Sequence, residues 1–462
     1  MRSRQRIRRR SYASTLGIVL GVVAGIAAAT WSAALAGSAS TEAQAVFDVT
    51  HLPPLLTAAG EPLDLTYDVH CAAADVESVD EGCGARGIVH VRSQGAATFT
   101  SLPLQTQARE GSRQLAVAVP DRFRGARGIE YYAELEAPAL DRRLTLPPGG
   151  AAAPHVSLPL GDSMTVNLGR HTFGSARRDG VRVAFASWGD RPGQAGLEHG
   201  RSLAPIGASA FDVDARRSAY LLDQVNRRVL RWDEASKQPT QVPVSVNGTL
   251  ADMAVADDGS MFVLETTADP GRRPLVRRFD DGGRELEAVE TAERTPSQIR
   301  IDDGSPVVLG RPSHQWMPVV LDGVPASPAR QVDHGRPGRR FSGGTEVLVF
   351  RRGNEVRVAL MADRGVSGSW RVVSQTPLAE VQLAEPVGQR VVLVTRLYED
   401  TTDEFVVLVL ERRGLVDRFS LDSADWAEAS ALGRFRIVGR SLYRLGSSPA
   451  GVFIDRYDLE VR

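Results

Sequence analysis

Lysine is almost missing from this chain: Lys237 is the only one among 462 residues. It sits in Ala235-Ser236-Lys237-Gln238, and no G-x-x-x-x-G-K-[ST] segment occurs, so a P-loop for phosphates is excluded. The positive charge is nearly all arginine, which we read as coding bias and not as a special use of guanidinium groups. Cysteine is scarce too. Cys71 and Cys83 are the only two, their spacing fits no usual zinc pattern, and no second pair exists to complete a four-ligand site. In an exported chain such a pair is expected to form a disulfide, and His70 beside it reads as a strand-edge residue. A loop this short adds ~2–3 kcal/mol of stability.

Long apolar runs are absent beyond residue 36, which excludes a second membrane span. Helical periodicity is absent as well, and with it the strand-to-helix elbow of an α/β-hydrolase: Gly161-Asp162-Ser163-Met164 is not G-x-S-x-G, and Gly365-Val366-Ser367-Gly368-Ser369 follows no elbow. The eight histidines form no H-E-x-x-H and no H-x-H, and they do not recur in phase. The formal net charge is −1 and falls to near −6 once the six arginines and Glu42 of the first 45 residues are set aside. Such a body carries no electrostatic footprint for nucleic acid.

What is present begins with those six arginines, followed by an apolar stretch from Leu16 to Ala36 and small residues at Ala34-Leu35-Ala36 and Ala43-Gln44-Ala45. This pattern predicts an export signal over residues 1–45, either cleaved or kept as a membrane anchor through residues 16–36. Arg9-Arg10-Ser11-Tyr12 resembles a twin-arginine signal. In both cases the folded part is expected to be extracytoplasmic.

Residues 46–160 read as strands separated by turns. Leu63, Leu65, Tyr67 and Val69 alternate onto one face, and Gly87 to Arg92, Leu115 to Val119, Ile129 to Leu135 and Leu144 to Leu146 continue the series. This predicts an N-terminal β-sandwich. The run Gly128 to Leu135, with Tyr131 and Tyr132, resembles the late strand of bacterial fibronectin type III and immunoglobulin-like modules, in which one tyrosine packs inward. Pro147-Pro148-Gly149-Gly150 through Pro154 reads as a connector and a domain boundary.

Residues 161–462 are organised around Phe211 to Asp233, where Phe211 to Val213, Ala219 to Leu222 and Val229 to Trp232 give three closely spaced strands. Asp223, Asn226, Arg228, Val229 and Trp232 fit D-x-x-N-x-R-[VI]-x-x-[FW], so the segment resembles one blade of an NHL-type β-propeller. Phe211, Met253 and Ile299 recur at blade-length intervals, with Val347, Val381 and Phe435 as weaker matches, giving an all-β, six-bladed ring. Pro270 and Pro274 interrupt the equivalent hairpin in the second blade. Asp258-Gly259, Asp281-Gly282-Gly283 and Asp303-Gly304 are expected at hairpin turns. The final run Gly451 to Leu459 is expected to share a sheet with Val181 to Phe185 and clasp the ring.

For chemistry, Asp212, Asp252 and Arg300 adjoin their anchor residues and are candidates to line the central channel. The resemblance implies that Asp223, Asn226 and Arg228 tie turns together. The pairs Arg339-Arg340, Arg351-Arg352 and Arg412-Arg413 read as solvated surface at turns. No catalytic residue, metal ligand or cofactor is assigned. The expected role is an exported, non-catalytic binding or scaffold protein that contacts a protein or polysaccharide of the envelope or matrix. The alternative is a metal-dependent hydrolase or lyase with its site at the ring axis.

Overall fold

Alternation decides the first unit. In the strand Asp64–Ala72, Leu65, Tyr67 and Val69 turn inward, and the strand lies between Val46–Thr50 and Ser112–Ala118, with Gln105–Arg109 beyond. A second sheet runs Leu56–Thr57, His155–Pro159, Ile129–Ala137, Arg86–Ser93 and Thr100–Pro103, with Arg142–Leu146 also paired to Ile129–Ala137. Val89, Val91, Tyr131, Ala133 and Leu135 of this sheet share one apolar cluster with Leu65, Tyr67 and Val69 of the other. Each such side chain stabilises by ~1.5–3 kcal/mol on burial. Cys71 and Cys83 are joined in a disulfide, and His70 is exposed.

The computed structural model describes residues 46–459 apart from 59, 73–82, 110–111, 126, 200–203, 235, 247–250, 267–271, 312, 342, 363–364 and 428–432. The expected export segment, residues 1–45, lies outside the described residues, and so does Pro270. Among the described residues no helix is long and apolar enough to cross a membrane.

Pro147 to Pro154, read as a connector, is followed by one more strand of the first unit. The strand after it, His155–Pro159, pairs antiparallel with Ile129–Ala137 and parallel with Leu56–Thr57. Its inward positions are His155 and Ser157, so polar residues conceal the alternation that would have marked it as a buried strand.

Six antiparallel sheets then follow in a ring. Blade 1 is Ala210–Val213, Ala219–Asp223, Arg228–Trp232 and Thr240–Pro243; blade 2 is Ala251–Val255, Met261–Glu265, Leu275–Phe279 and Glu285–Glu290. Blade 3 has three strands, Pro296–Asp302, Ser305–Gly310 and Trp316–Pro318, followed by a small hairpin and the helix Pro328–Asp333. Blade 4 is Arg339–Phe341, Thr345–Arg352, Glu355–Ala362 and Gly365–Val373; blade 5 is Leu378–Val387, Arg390–Glu399, Thr402–Glu411 and Gly414–Asp422. Blade 6 is Phe435–Val438, Ser441–Ser448 and Gly451–Asp458. First strands of successive blades touch, except that blade 4 meets blade 5 through Thr345–Arg352, and the first strand of blade 1 meets that of blade 6, so the fold is an all-β six-bladed propeller.

Two details depart from the sequence reading. The first strand of blade 4 is Arg339–Phe341, so Val347, taken as its anchor, lies one strand further out. The true inner strand is short and carries two arginines, which an apolar pattern passes over. In blade 2 the hairpin forms after all, with Glu265 paired to Leu275 and Pro274 just ahead of the strand, where it removes no ladder bond. The Asp-Gly turns adopt the backbone they need: Asp303 and Gly304 both have positive φ, at 48° and 79°.

Ring closure uses the start of the propeller. Val181–Ser187 pairs antiparallel with Gly451–Asp458 as the outer strand of blade 6. Gly451 is needed there, because a Cβ on it would sit 2.2 Å from the carbonyl oxygen of Ala186. The segment leading to this strand is a strap. Met164–Asn167 runs parallel to Gly365–Val373 on blade 4. The chain then crosses blade 5, where buried Glu404 accepts hydrogen bonds from His171 Nε2 at 2.9 Å, Gly174 N at 2.9 Å and Arg177 Nε at 2.7 Å. Arg418 donates to His171 Nδ1, which fixes the imidazole as the Nε2-protonated tautomer.

The first unit rests on blade 4. Leu55, Leu56 and Leu160 pack with Leu348, Phe350 and Ala359. Buried Arg357 donates to the Leu56 carbonyl at 2.9 Å and pairs with Glu61 at 2.6 Å.

Candidate functional site

The first strands of all six blades send charged side chains to the axis. Arg436 of blade 6 lies 3.2 Å from Asp212 of blade 1 and 3.1 Å from Asp252 of blade 2, and Asp252 meets Arg300 of blade 3 at 2.8 Å. Arg339 of blade 4 bridges Asp302 of blade 3, at 2.6 Å, and Glu385 of blade 5. Three guanidinium groups and four carboxylates thus close the channel by pairing with one another.

Burial governs their protonation. It lowers Arg300 to about 10, with Arg436 adding to the effect, and it raises the carboxyls of Asp212 and Asp302. Burial works against the Arg339 charge too, yet Glu385 and Asp302 more than offset it and the group is raised. The structure therefore brings Asp212, Asp252 and Arg300 together and adds four residues the sequence reading missed: Asp302, Arg339, Glu385 and Arg436. Arg339 is a correction, since its side chain is only 14 % exposed and is paired at the axis, not solvated at a turn. Arg436 had a readable signal. It follows Phe435 as Asp212 follows Phe211 and Arg300 follows Ile299.

Asp223, Asn226 and Arg228 form a knot away from the axis. Asp223 is fully buried; its Oδ1 accepts from Gly196 N at 2.9 Å, and its Oδ2 accepts from Asn226 Nδ2 at 2.8 Å and Arg228 Nε at 3.0 Å. Arg228 goes on to donate to the carbonyls of Arg191 and Gln194. The knot pins the glycine-rich loop before blade 1 to the turn between its second and third strands. Asp223→Ala leaves a buried guanidinium N–H and a buried amide unmet, so it is expected to cost about 2–3 kcal/mol and to open the Trp188–Gly207 loop. Urea titration and limited proteolysis at Arg191 read both effects.

The channel mouth opens into a cleft of about 740 Å³ between the propeller and the first unit. Arg300, Arg339 and Glu385 of the axial cluster line it, Leu52, Pro53 and Leu55 cover one side, and His314 and Trp316 form part of another wall. Gln382 is 4 % exposed and donates through Nε2 to Glu380 at 2.8 Å, but its Oε1 is buried and unpartnered. Burial, and then Arg311, lower His314, so this imidazole is held neutral. Among the described residues no group of three or more His, Cys, Asp and Glu side chains is arranged to hold a metal ion.

No protein-family model matches the chain, and no curated protein matches it either. Solved structures do match over part of the chain. Virginiamycin B lyase from Staphylococcus aureus is 9% identical, covering 54% of this chain and 94% of its own, at a TM-score of 0.31. A putative glucose dehydrogenase from Thermus thermophilus is 13% identical over 57% of this chain and 100% of its own, at 0.33. A functionally unknown protein from Desulfotomaculum acetoxidans is 10% identical over 55% and 84%, at 0.36. Scores this low carry nothing about chemistry.

Proposed function

We propose that this chain is an exported binding protein in which residues 46–160 form a fibronectin- or immunoglobulin-like β-sandwich and residues 161–462 a divergent NHL-like propeller. Its ligand is an extended protein segment of the cell envelope, held in the cleft at the channel mouth. The observation that carries the reading is the unpartnered Gln382 Oε1 in a wall otherwise rich in Val347, Val349, Phe350 and Leu383. A peptide offers both the N–H donor and the apolar side chains such a wall lacks. The disulfide agrees with an oxidising compartment. The metal-dependent alternative has no observation in its favour, since every axial carboxylate faces an arginine.

A displayed peptide library panned on the purified protein tests this. Selected peptides are expected to lose at least tenfold in affinity on Gln382→Leu and on Leu52→Arg, a change at an exposed position. Peptides that bind both variants as well as wild type would overturn the reading, and so would selective capture of polysaccharide with no peptide recovered.

A further inference from the structure

A second recess lies at the ring seam, away from the channel. It encloses about 790 Å³ between blade 6 and blade 1. One wall is the strand Val181–Ser187 with Arg182; the opposite wall is Arg217, Trp232 and the turn bearing Glu234 and Lys237. Tyr443 and Trp232, 1% and 2% exposed, join the apolar cluster that holds the two blades together.

Three donors in this lining lack an acceptor. Trp232 Nε1, Tyr443 Oη and Arg456 Nε are buried and make no hydrogen bond, although Arg456 Nε lies 3.3 Å from Asp458 as an ion pair outside hydrogen-bond geometry. An indole and a guanidinium can only donate, and burial raises the Tyr443 hydroxyl so that it keeps its proton. What the recess lacks is therefore oxygen. Arg182, Arg217 and Arg456 are paired with Asp455, Glu234 and Asp458, and Lys237 adds a further positive charge to the lining. The single lysine of the chain stands at this spot. Phe185, 41% exposed, adds an apolar face at the rim of the size a sugar ring covers.

We propose that the seam recess binds a sugar-sized ligand bearing an oxyanion. The oxyanion meets Lys237 and Arg217, and ring oxygens approach the donors of Trp232 and Tyr443. A volume of this order accommodates one or two sugar units. A carboxylate on an acidic sugar and the phosphate of a sugar phosphate share this chemistry.

Calorimetric titration of the full chain with glucuronate, glucose 6-phosphate, glucose and inorganic phosphate tests it. One of the two charged sugars is expected to bind at least tenfold more tightly than glucose, and which one does so identifies the source of the anion. Arg217→Gln with Lys237→Gln, both at exposed positions, is expected to weaken that binding at least tenfold. Trp232→Phe, which removes one donor, is expected to weaken it as well. Gln382→Leu, in the other cleft, should leave it unchanged. Absence of binding by both charged sugars, equal binding of inorganic phosphate, or unaltered affinity in the Arg217/Lys237 variant would each overturn the assignment.

Discussion

Arg436→Met lowers the stability of the ring by about 3–5 kcal/mol, the cost of stripping one partner from a buried ion pair. The guanidinium makes five contacts at the axis, to Asp212, Asp252 and the carbonyls of Met253, Gly433 and Phe435. Methionine fills much of the space and meets none of them. Asp252 keeps Arg300, but Asp212 keeps only the amides of Val213 and Val255. Desolvation already raises Asp212, and losing its cation raises it further. A protonated Asp212 needs no counter-charge, so the gap between variant and wild type narrows as the pH falls from 7 toward 5. Urea titration followed by tryptophan fluorescence measures the gap. Arg412→Met, at an exposed turn, is the control and should stay within about 0.5 kcal/mol. A loss below 1 kcal/mol for Arg436→Met would mean that the axis is wet and its charges are screened.

Mild acid is expected to weaken the first unit through two buried histidines. His51 is buried between Tyr67, on which it stacks at 4.3 Å, and Tyr131, whose hydroxyl is 2.8 Å from its Nε2. His155 lies 5.4 Å from the rings of both His51 and Tyr131. Burial lowers His51 from 6.5 to about 4 and depresses His155 too. Between those values the unfolded chain takes up protons that the folded chain refuses. The stabilisation is therefore complete above pH 6.5 and is lost as the pH falls toward 4, by ~3 kcal/mol for His51 alone. Urea midpoints at pH 7.5, 6 and 5 should fall steadily in the wild type. A variant carrying His51→Phe and His155→Phe should start lower, having lost the bond to Tyr131, and vary much less with pH. Equal slopes for the two proteins would count against this account.

The sequence disclosed the ring because its first blade states its strands in apolar runs of β-branched and aromatic residues, and because Gly451 to Leu459 reads as a strand that can pair with Val181 to Phe185. It concealed elements whose buried faces are polar. His155 and Ser157 hid a strand of the first unit, and Arg339-Arg340 hid the inner strand of blade 4, since guanidinium groups read as surface until their carboxylate partners are known. Those partners, Asp302 and Glu385, lie 37 and 46 residues from Arg339. The strap was hidden for the same reason. His171 and Arg177 are separated from Glu404 by 233 and 227 residues, and no local pattern announces such a bond.

That strap also sets the order of events during biogenesis. Arg182 is made 273 residues before its partner Asp455, so Val181–Ser187 waits without its pairing strand until Gly451–Asp458 has emerged. Contacts at such separations slow folding, because the loop they close must be ordered before they form. A chain arrested a few residues short of Gly451 would present Val181–Ser187 as an unpaired edge bearing Val181 and Phe185, which invites a neighbouring nascent chain to supply the missing strand. Pairing of the eight-residue strand Gly451–Asp458 is thus the step that covers this edge and seals the ring.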